Sequence, residues 1–272
     1  MMNRLIKNKI FHLVELIPFG HDLFLVLTKR RRGINYRGVF DSFALAKKAA
    51  SCKKTDSYDV INSNKASNDV VEKQHLDNWF NDDDYPLLFW LSKLIYENKI
   101  VLELGGSLGH FFYSIQKLTS LPDDLCWTIA ELPAAVNFGR TIASEREERR
   151  IFFINSDEVA SVSPVDIFMT AGTLQYMSKS LFEIIQDFEI RPKHVLIHNL
   201  PLHKKKSFYT LQNLGLCEVP YRIYSQNEIL SEMDKLGYTL IVDWKKKRSV
   251  DIPFYSSLSI EGYCGFYFTA VS

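Results

Sequence analysis

A carboxylate and three glycines lie close together at the end of a short apolar run. Glu103 stands inside the run 100–104, and Gly105, Gly106 and Gly109 follow it. Glycine tolerates the positive φ angles of a sharp turn and lets a ligand approach the backbone. A helix that begins directly after such a turn presents unpaired N–H groups toward the ligand. The spacing therefore predicts a strand, a tight turn and a helix that hold a phosphate- or nucleoside-type ligand.

The acid narrows the choice of ligand. Dinucleotide-binding turns follow the order Gly-x-Gly-x-x-Gly, whereas this chain has Glu-x-Gly-Gly-x-x-Gly. A carboxylate at this position repels phosphate groups, but it accepts hydrogen bonds from an ammonium group. The pattern favours a ligand that places a charged amine near the strand end. A glycine turn without any ligand is the alternative, since such turns are common after strands.

Further polar residues follow the other predicted strands. Glu131 ends the apolar run 125–132, Asp157 follows the run 151–155, and Gly172 with Thr173 follows the run 165–171. Ligands of open α/β sheets bind outside the carboxyl ends of the strands. We therefore expect these side chains at one edge of the sheet, although Glu131 is also explained as a surface acid before a proline.

His198 ends the fifth predicted strand and is the candidate general base. Neutral imidazole is available near pH 7 and can take a proton from a hydroxyl acceptor. A histidine that is hydrogen-bonded to the local backbone is the alternative interpretation, and His110 and His203 are further candidates. Amide and aromatic side chains at the same edge or in the segment 202–223 are predicted to face the acceptor. They are Gln175, Tyr176, Asn199, Gln212 and Tyr221.

Composition excludes several classes of protein. The chain has 272 residues, 46% of them hydrophobic and 24% charged, which is typical of a globular protein. The net charge is +1, so no overall field favours nucleic acid, and the basic clusters 29–32, 204–206 and 245–248 are explained as solvated surface. The four cysteines form no Cys-x-x-Cys pair, which predicts neither a metal site nor a disulfide framework and favours the cytoplasm.

The first 35 residues are apolar with a basic end. Acidic residues, a proline and a glycine interrupt the apolar run 10–27, so no transmembrane span is predicted. We expect a helix packed against the domain. Peripheral contact with an anionic membrane surface, such as the inner membrane, is the second option.

The order of predicted elements gives the fold class. A helix is expected after a turn at residues 36–50, and the polar segment 51–84 is expected to form a loop or lid, with one short helix near residues 70–80. From residue 85 strands and helices alternate, and the last two strands follow each other without a helix. We predict a small helical N-terminal extension over residues 1–84. Residues 85–272 should form an α/β domain of about seven strands, mostly parallel with an antiparallel C-terminal strand.

The glycine turn with its acid resembles motif I of the class I S-adenosylmethionine-dependent methyltransferases. The likeness extends over residues 36–268 to a bacterial methyltransferase family that is often encoded among surface-polysaccharide biosynthesis genes. The segments that carry it are Tyr85-Pro-Leu-Leu88, Leu102-Glu-Leu-Gly-Gly-Ser-Leu-Gly109, Trp127-Thr-Ile-Ala-Glu-Leu-Pro133, Gly172-Thr-Leu-Gln-Tyr176, Leu200-Pro-Leu202 and Thr210-Leu-Gln-Asn213. Gly106-Ser107 departs from the family's more usual non-glycine followed by glycine.

The resemblance implies a Rossmann-like methyltransferase fold and S-adenosylmethionine as the cofactor. It implies that Glu103 lies near the methionine amino group and that the three glycines of the turn lie under the methionine moiety. Glu131 would accept the ribose hydroxyls, and Asp157 would lie near the adenine amino group. The gene setting of the family implies a saccharide or glycolipid acceptor. Two other functions remain open, namely a non-catalytic binding or scaffold protein of the same fold and a nucleotide-sugar or NAD-dependent enzyme; the oligomeric state stays unassigned.

Overall fold

The computed structural model describes residues 36–50, 81–214 and 217–271. Six α-helices lie within these residues: α1 Phe43–Ala49, α2 Tyr85–Leu94, α3 His110–Ile115, α4 Pro133–Glu145, α5 Leu181–Gln186 and α6 Gln226–Lys235. The ten strands are β1 Tyr36–Phe40, β2 Ile100–Leu104, β3 Cys126–Glu131, β4 Ile151–Asn155, β5 Ile167–Ala171, β6 His194–His203, β7 Phe208–Asn213, β8 Glu218–Ser225, β9 Tyr238–Val250 and β10 Ile260–Ala270.

Seven of these strands form the central layer, in the order β4-β3-β2-β5-β6-β10-β9. Strands β2 to β6 run parallel, and β10 is antiparallel to both of its neighbours. Parallel neighbours require crossover connections, whereas β9 and β10 are joined by residues 251–259 without an α-helix. The carboxyl ends of β2, β3, β4, β5 and β6 therefore meet at one edge, which is where the glycine turn lies.

Helices cover both faces of the central layer. Leu88 of α2, Phe112 of α3 and Ile142 of α4 pack in one apolar cluster with Trp127 and Ile167 of the sheet. The α5 and α6 helices pack in a second cluster against the opposite face, together with β5, β6 and β10. Because a strand's side chains alternate between faces, neighbouring residues of β2 such as Val101 and Leu102 fall in different clusters.

A smaller set of strands extends from the end of β6. Leu202 and His203 of β6 pair in parallel with β8, β8 pairs antiparallel with β7, and β7 pairs antiparallel with β1. A buried ion pair between Arg37 of β1 and Glu218 of β8 holds the N-terminal strand to this set, with Arg37 Nη2 2.6 Å from Glu218 Oε2. A third apolar cluster, which contains Tyr36 and Tyr263, joins these strands to the ends of β9 and β10.

The structure confirms the predicted fold class and corrects several elements. Residues 36–40, interpreted as a turn, form β1, and the segment 202–223 contains the hairpin of β7 and β8 rather than loops alone. The described residues contain ten strands because β1, β7 and β8 add to the seven expected ones, which form the central layer. Strands β6, β9 and β10 also run further than predicted. The helix at residues 43–49 is confirmed, with Ser42 as its N-cap. The predictions for residues 1–35 and for a helix near 70–80 lie outside the described residues, and the division at residue 84 stays a prediction.

Candidate active site at the carboxyl edge of the sheet

The glycine turn is shaped by contacts inside the chain. Gly105 has a φ of +75°, and its N–H donates to the carbonyl of Ala130 at 2.9 Å, which fixes the turn against β3. A Cβ at Gly105 would lie 2.0 Å from Thr173 Oγ1, and one at Gly106 would lie 2.5 Å from Glu103 Cδ. Each glycine therefore makes room for a side chain that the sequence had placed at the cofactor site.

Gly109 ends the turn and begins α3. Its φ of +97° is left-handed, and a Cβ there would lie 2.7 Å from Ile151 Cδ1. Ser107 adopts a φ of +52° although it has a side chain. A non-glycine residue in this region is uncommon and is concentrated at functional sites. The prediction that residues 105–109 form a tight turn between strand and helix is therefore met by the backbone.

Glu103 is a buried acid with an unpaired oxygen. The residue is 1% exposed, and its Oε2 accepts a hydrogen bond from Trp127 Nε1 at 2.9 Å. Its Oε1 has no hydrogen-bond partner within the described part of the chain. Burial raises the pKa of Glu103 to about 7, against the hydrogen bond from Trp127 and with a smaller contribution from the charge of Glu131. A buried polar atom without a partner is costly, so this oxygen is a candidate ligand contact.

Glu131 is oriented by two backbone donors, one of which belongs to the glycine turn. Its Oε1 accepts from Ser107 N–H at 3.2 Å, and its Oε2 accepts from Leu132 N–H at 2.7 Å. These two donors fix the orientation of the Glu131 carboxylate at the carboxyl end of β3. Glu103 and Glu131 lie on neighbouring strands, with Glu103 opposite Ile129 in the register. That they act at one site stays a prediction.

The remaining cofactor candidates lie along the same edge. Asp157 is exposed on the 3₁₀ helix Ser156–Ser161, which directly follows β4, the neighbour of β3. Gly172 follows β5 with a φ of +78°. The Thr173 hydroxyl donates to the carbonyl of Gly105 at 3.3 Å. The structure thus brings Thr173 to the glycine turn, whereas Asp157 follows β4, which is two strands away from β2.

His198 is buried and both of its ring nitrogens are engaged. Nδ1 lies 2.9 Å from Trp244 Nε1, and Nε2 lies 2.9 Å from Asp84 Oδ1. The ring is 1% exposed and meets Phe111 of α3 edge-on. The alternative of a bond to the local backbone is not what the structure has, since Asp84 and Trp244 are distant in sequence. A role as base requires one of these two hydrogen bonds to open.

The Asp84 carboxylate links α2 to this histidine. It begins the first turn of α2 and lies 3.6 Å from Lys246 Nζ. Although burial opposes the charged form, hydrogen bonds from His198 and the Asn81 N–H and the charge of Lys246 lower the pKa of Asp84 to about 2. Asp84 is therefore a carboxylate at neutral pH, and with the buried His198 it links Lys246 to Trp244.

The other two histidine candidates occupy different settings. His110 is the first residue of α3. His203 Nε2 lies 3.0 Å from the carbonyl of Ser257, and its Nδ1 accepts from the N–H groups of Lys205 and Lys206. His203 therefore organises the start of the hairpin of β7 and β8 rather than the edge near the glycine turn.

Two amide side chains flank Gly172. A Cβ at Gly172 would lie 3.6 Å from both Asn199 Cβ and Gln175 Nε2. Gln175 Nε2 donates to the Gly172 carbonyl at 2.7 Å, which leaves its Oε1 buried without a partner among the described residues. Asn199 Oδ1 is also buried without a partner among the described residues, and Asn199 has a left-handed φ of +56°. Two residues predicted to contact the acceptor thus each have an unpaired side-chain oxygen near Gly172.

The other predicted acceptor contacts are Tyr176, Gln212 and Tyr221. Two of them pack with Tyr36 and Tyr263 in a set that we call the tyrosine cluster: Tyr36, Tyr176, Tyr221 and Tyr263. The Tyr221 and Tyr263 hydroxyls are 2.6 Å apart. The ring of Tyr221 meets those of Tyr36 and Tyr176 edge-on, each at 5.2 Å. Gln212 accepts from the Tyr176 hydroxyl at 2.7 Å and donates to the Tyr36 hydroxyl at 3.3 Å.

Sequence reasoning missed several residues of this edge. They are Tyr36, Asp84, Trp127, Trp244, Lys246, Arg248 and Tyr263. Two of them had a usable signal: Trp127 lies on the strand that ends in Glu131, and Asp84 precedes the proline of a predicted helix. The others lie far from the glycine turn in sequence, on strands that were predicted too short or as a turn.

The strand order and the site together define the class of this fold. It is a Rossmann-like α/β methyltransferase fold. A similar solved structure is the Burkholderia thailandensis 1,6-didemethyltoxoflavin N1-methyltransferase, crystallised with 1,6-didemethyltoxoflavin and S-adenosylhomocysteine. The two share 12% identity with a TM-score of 0.50, over 78% of this chain and 88% of that chain.

A second similar structure is an S-adenosylmethionine-dependent methyltransferase from Methanosarcina mazei. It has a TM-score of 0.50 and 12% identity over 67% of this chain and 97% of that chain. No protein-family model and no curated protein matches the sequence. At these identities the similarity establishes the fold. Within the described residues, no helix is both long and apolar enough to cross a membrane.

Proposed function

We propose that this protein is an S-adenosylmethionine-dependent methyltransferase that methylates an oxygen of a saccharide or glycolipid intermediate in surface-polysaccharide biosynthesis. The observation that carries the proposal is the unpaired Oε1 of buried Glu103 beside a glycine turn. A buried carboxylate that lacks a donor is satisfied by an ammonium group, and the methionine part of S-adenosylmethionine carries one. The solved structure of similar fold from Burkholderia thailandensis, which contains S-adenosylhomocysteine, supports the same cofactor.

The residues of the carboxyl edge fit that cofactor. Glu103 would accept from the amino group, and the turn of Gly105, Gly106 and Gly109 would hold the methionine moiety by its backbone. Glu131, oriented by backbone donors, would accept from the ribose hydroxyls. Asp157 would contact the adenine amino group. The cofactor would pack against the backbone of Gly172 and Thr173. The cofactor would supply a methyl group bonded to a sulfonium sulfur. This sulfur is a good leaving group and needs no activation.

The chain's own task is then to position the acceptor and remove its proton. The unpaired oxygens of Gln175 and Asn199 accept hydrogen bonds, so they would orient a hydroxyl donor. Tyr176, Gln212 and Tyr221 would recognise further hydroxyls of a saccharide. We assign the base to His198, which would take the proton on Nδ1 after its bond from Trp244 opens.

Calorimetric titration with S-adenosylmethionine tests the cofactor assignment, with NAD and a nucleotide-sugar as competing ligands. We expect micromolar binding of S-adenosylmethionine, lost in Glu103→Ala. Asp124→Ala is the matched control, because this carboxylate is 71% exposed and precedes β3 at the opposite edge of the sheet. Binding of NAD or the nucleotide-sugar alone would contradict the proposal, as would equal affinity of Glu103→Ala and wild type.

A non-catalytic binding protein of the same fold is the second candidate. One observation favours it, namely that both nitrogens of His198 are engaged. Binding of S-adenosylmethionine without methyl transfer to any saccharide acceptor in a screen would support this candidate. Radioactive methyl transfer from the donor to an acceptor would exclude it.

A further inference from the structure

Alternate residues of β9 line the side of the site at which the acceptor is proposed to lie. Trp244 donates a hydrogen bond to His198, and Lys246 Nζ lies 3.6 Å from Asp84 Oδ1. Arg248 lies over Tyr263 of the tyrosine cluster. Successive side chains of a strand point to opposite faces, so Trp244 and Lys246 share one face. The register with β10 shifts by one residue between Lys247 and Val250, and Arg248 is placed on the same side by its contact with Tyr263, which pairs with Lys246. The continuation of β9 past Trp244 therefore carries two cations to this side of the site.

Only one of the two cations is neutralised. Lys246 lies within ion-pair distance of Asp84 and, at 3.9 Å, of Asp83. Arg248 forms no ion pair with any carboxylate in the described part of the chain, and its guanidinium carbon lies 4.9 Å from the centre of the Tyr263 ring. Stacking on an aromatic ring holds a guanidinium in place and leaves its N–H groups available.

The groups around Arg248 are neutral hydrogen-bonding hydroxyls. Burial raises the pKa of Tyr36 and of Tyr221, so both phenols keep their protons at neutral pH. Tyr263 is fully buried, and its hydroxyl forms a hydrogen bond with the hydroxyl of Tyr221. An uncompensated guanidinium beside neutral phenols makes a local environment that favours an anion and disfavours a cation.

A short stretch of chain connects the tyrosine cluster to the glycine turn. Tyr176 ends the 3₁₀ helix Leu174–Tyr176, which directly follows Thr173, and Thr173 contacts Gly105. A group bound at Arg248 would therefore lie on the acceptor side of the site. Residues 173–176 would separate it from the glycine turn.

We propose that Arg248 binds an anionic group of the acceptor, a phosphate or a carboxylate, and that the tyrosine cluster contacts the hydroxyls next to it. The planar guanidinium forms two parallel hydrogen bonds with either anion. This inference rests on the proposed function and deepens it, since it names a charged saccharide as the substrate class. A preference for phosphate would indicate a sugar linked to a nucleotide or lipid through phosphate. A preference for carboxylate would indicate a uronic acid.

The test measures binding of three probes to protein saturated with S-adenosylhomocysteine: glucose 1-phosphate, glucuronate and glucose. We expect at least one charged probe to bind about tenfold more tightly than glucose, the range of a charge-assisted hydrogen-bonded pair. Arg248→Gln should bring that ratio to about one, and Arg248→Lys should retain part of it, because lysine keeps the charge and loses the fork. Lys247→Gln is the matched control. This substitution removes one positive charge from the opposite face of β9, and the variant should keep the full ratio.

Each outcome decides between the two proposals. Failure of S-adenosylhomocysteine to bind the wild type overturns the proposed function. Its binding together with no preference for a charged probe, or with no binding of any probe, overturns this inference alone. The inference also fails if Arg248→Gln keeps the ratio or if Lys247→Gln loses it equally. If Arg248→Gln does not fold, the comparison of Arg248→Lys with Lys247→Gln decides. The charged probe that binds more tightly identifies the anion.

Discussion

The indole N–H of Trp244 donates a hydrogen bond to Nδ1 of His198 at 2.9 Å. An indole has no acceptor, so Nδ1 must carry the lone pair, and the ring proton lies on Nε2, where it is donated to Asp84. The tautomer of this buried histidine is thereby fixed by two residues on other elements. The same bond from Trp244 covers the nitrogen that a base would use.

His198→Ala is expected to lower kcat by about 10² to 10⁴ with an identified acceptor, the usual contribution of a general base. Trp244→Phe should keep kcat at or above the wild-type value, because it exposes Nδ1 without removing the ring. Steady-state kinetics with constant S-adenosylmethionine affinity as the folding control would measure both. Unchanged turnover of His198→Ala would remove His198 from the catalytic residues.

Glu103→Gln is expected to flatten the pH dependence of stability. The carboxyl has a pKa of about 7 in the fold against an ordinary value of 4.5, so the folded state retains a proton that the unfolded state releases. The free energy of unfolding should therefore fall as pH rises from about 4.5 to about 7, by roughly 3 kcal/mol. Urea unfolding between pH 4.5 and 8 measures this slope, and equal slopes in variant and wild type would count against a raised pKa.

Gly105→Ala is expected to destabilise the fold more than Gly237→Ala. Both glycines have a left-handed φ, +75° and +81°, and share the cost of placing alanine there, about 1–2 kcal/mol. A Cβ at Gly237 meets nothing within 4 Å, whereas one at Gly105 overlaps Thr173. The overlap should add about 1–3 kcal/mol. Equal losses in urea unfolding would show that the turn relaxes around the new methyl group.

Arg37→Met is expected to cost about 3–5 kcal/mol, because it leaves the Glu218 carboxylate buried beside β1 without its cation. The double variant Arg37→Met with Glu218→Leu should recover most of this loss, since an apolar pair needs no compensating charge. Chemical unfolding of the single and double variants measures the coupling. Additive losses in the double variant would contradict a mutually compensated pair.

Local sequence rules predicted the elements that depend on neighbours in the chain. The strand from Ile100 to Leu104, its glycine turn and the following helix are confirmed, because apolar runs and glycine conformations are local properties. The extent of β9 was not predictable in this way. Its segment 245–250 is rich in lysine and arginine and resembles a solvated loop, yet β10 pairs with it as far as Val250.

The sequence by itself determined the alternation of strands and helices, the antiparallel C-terminal pair and the position of Glu103 before its glycine turn. Each of these follows from hydrophobic periodicity and backbone preference over a few residues. Only the tertiary structure decided that His198 lies between Asp84 and Trp244 and that Arg248 lies over Tyr263. Those contacts join residues from different strands and helices, and their partners are set by strand order and register, which no local pattern encodes.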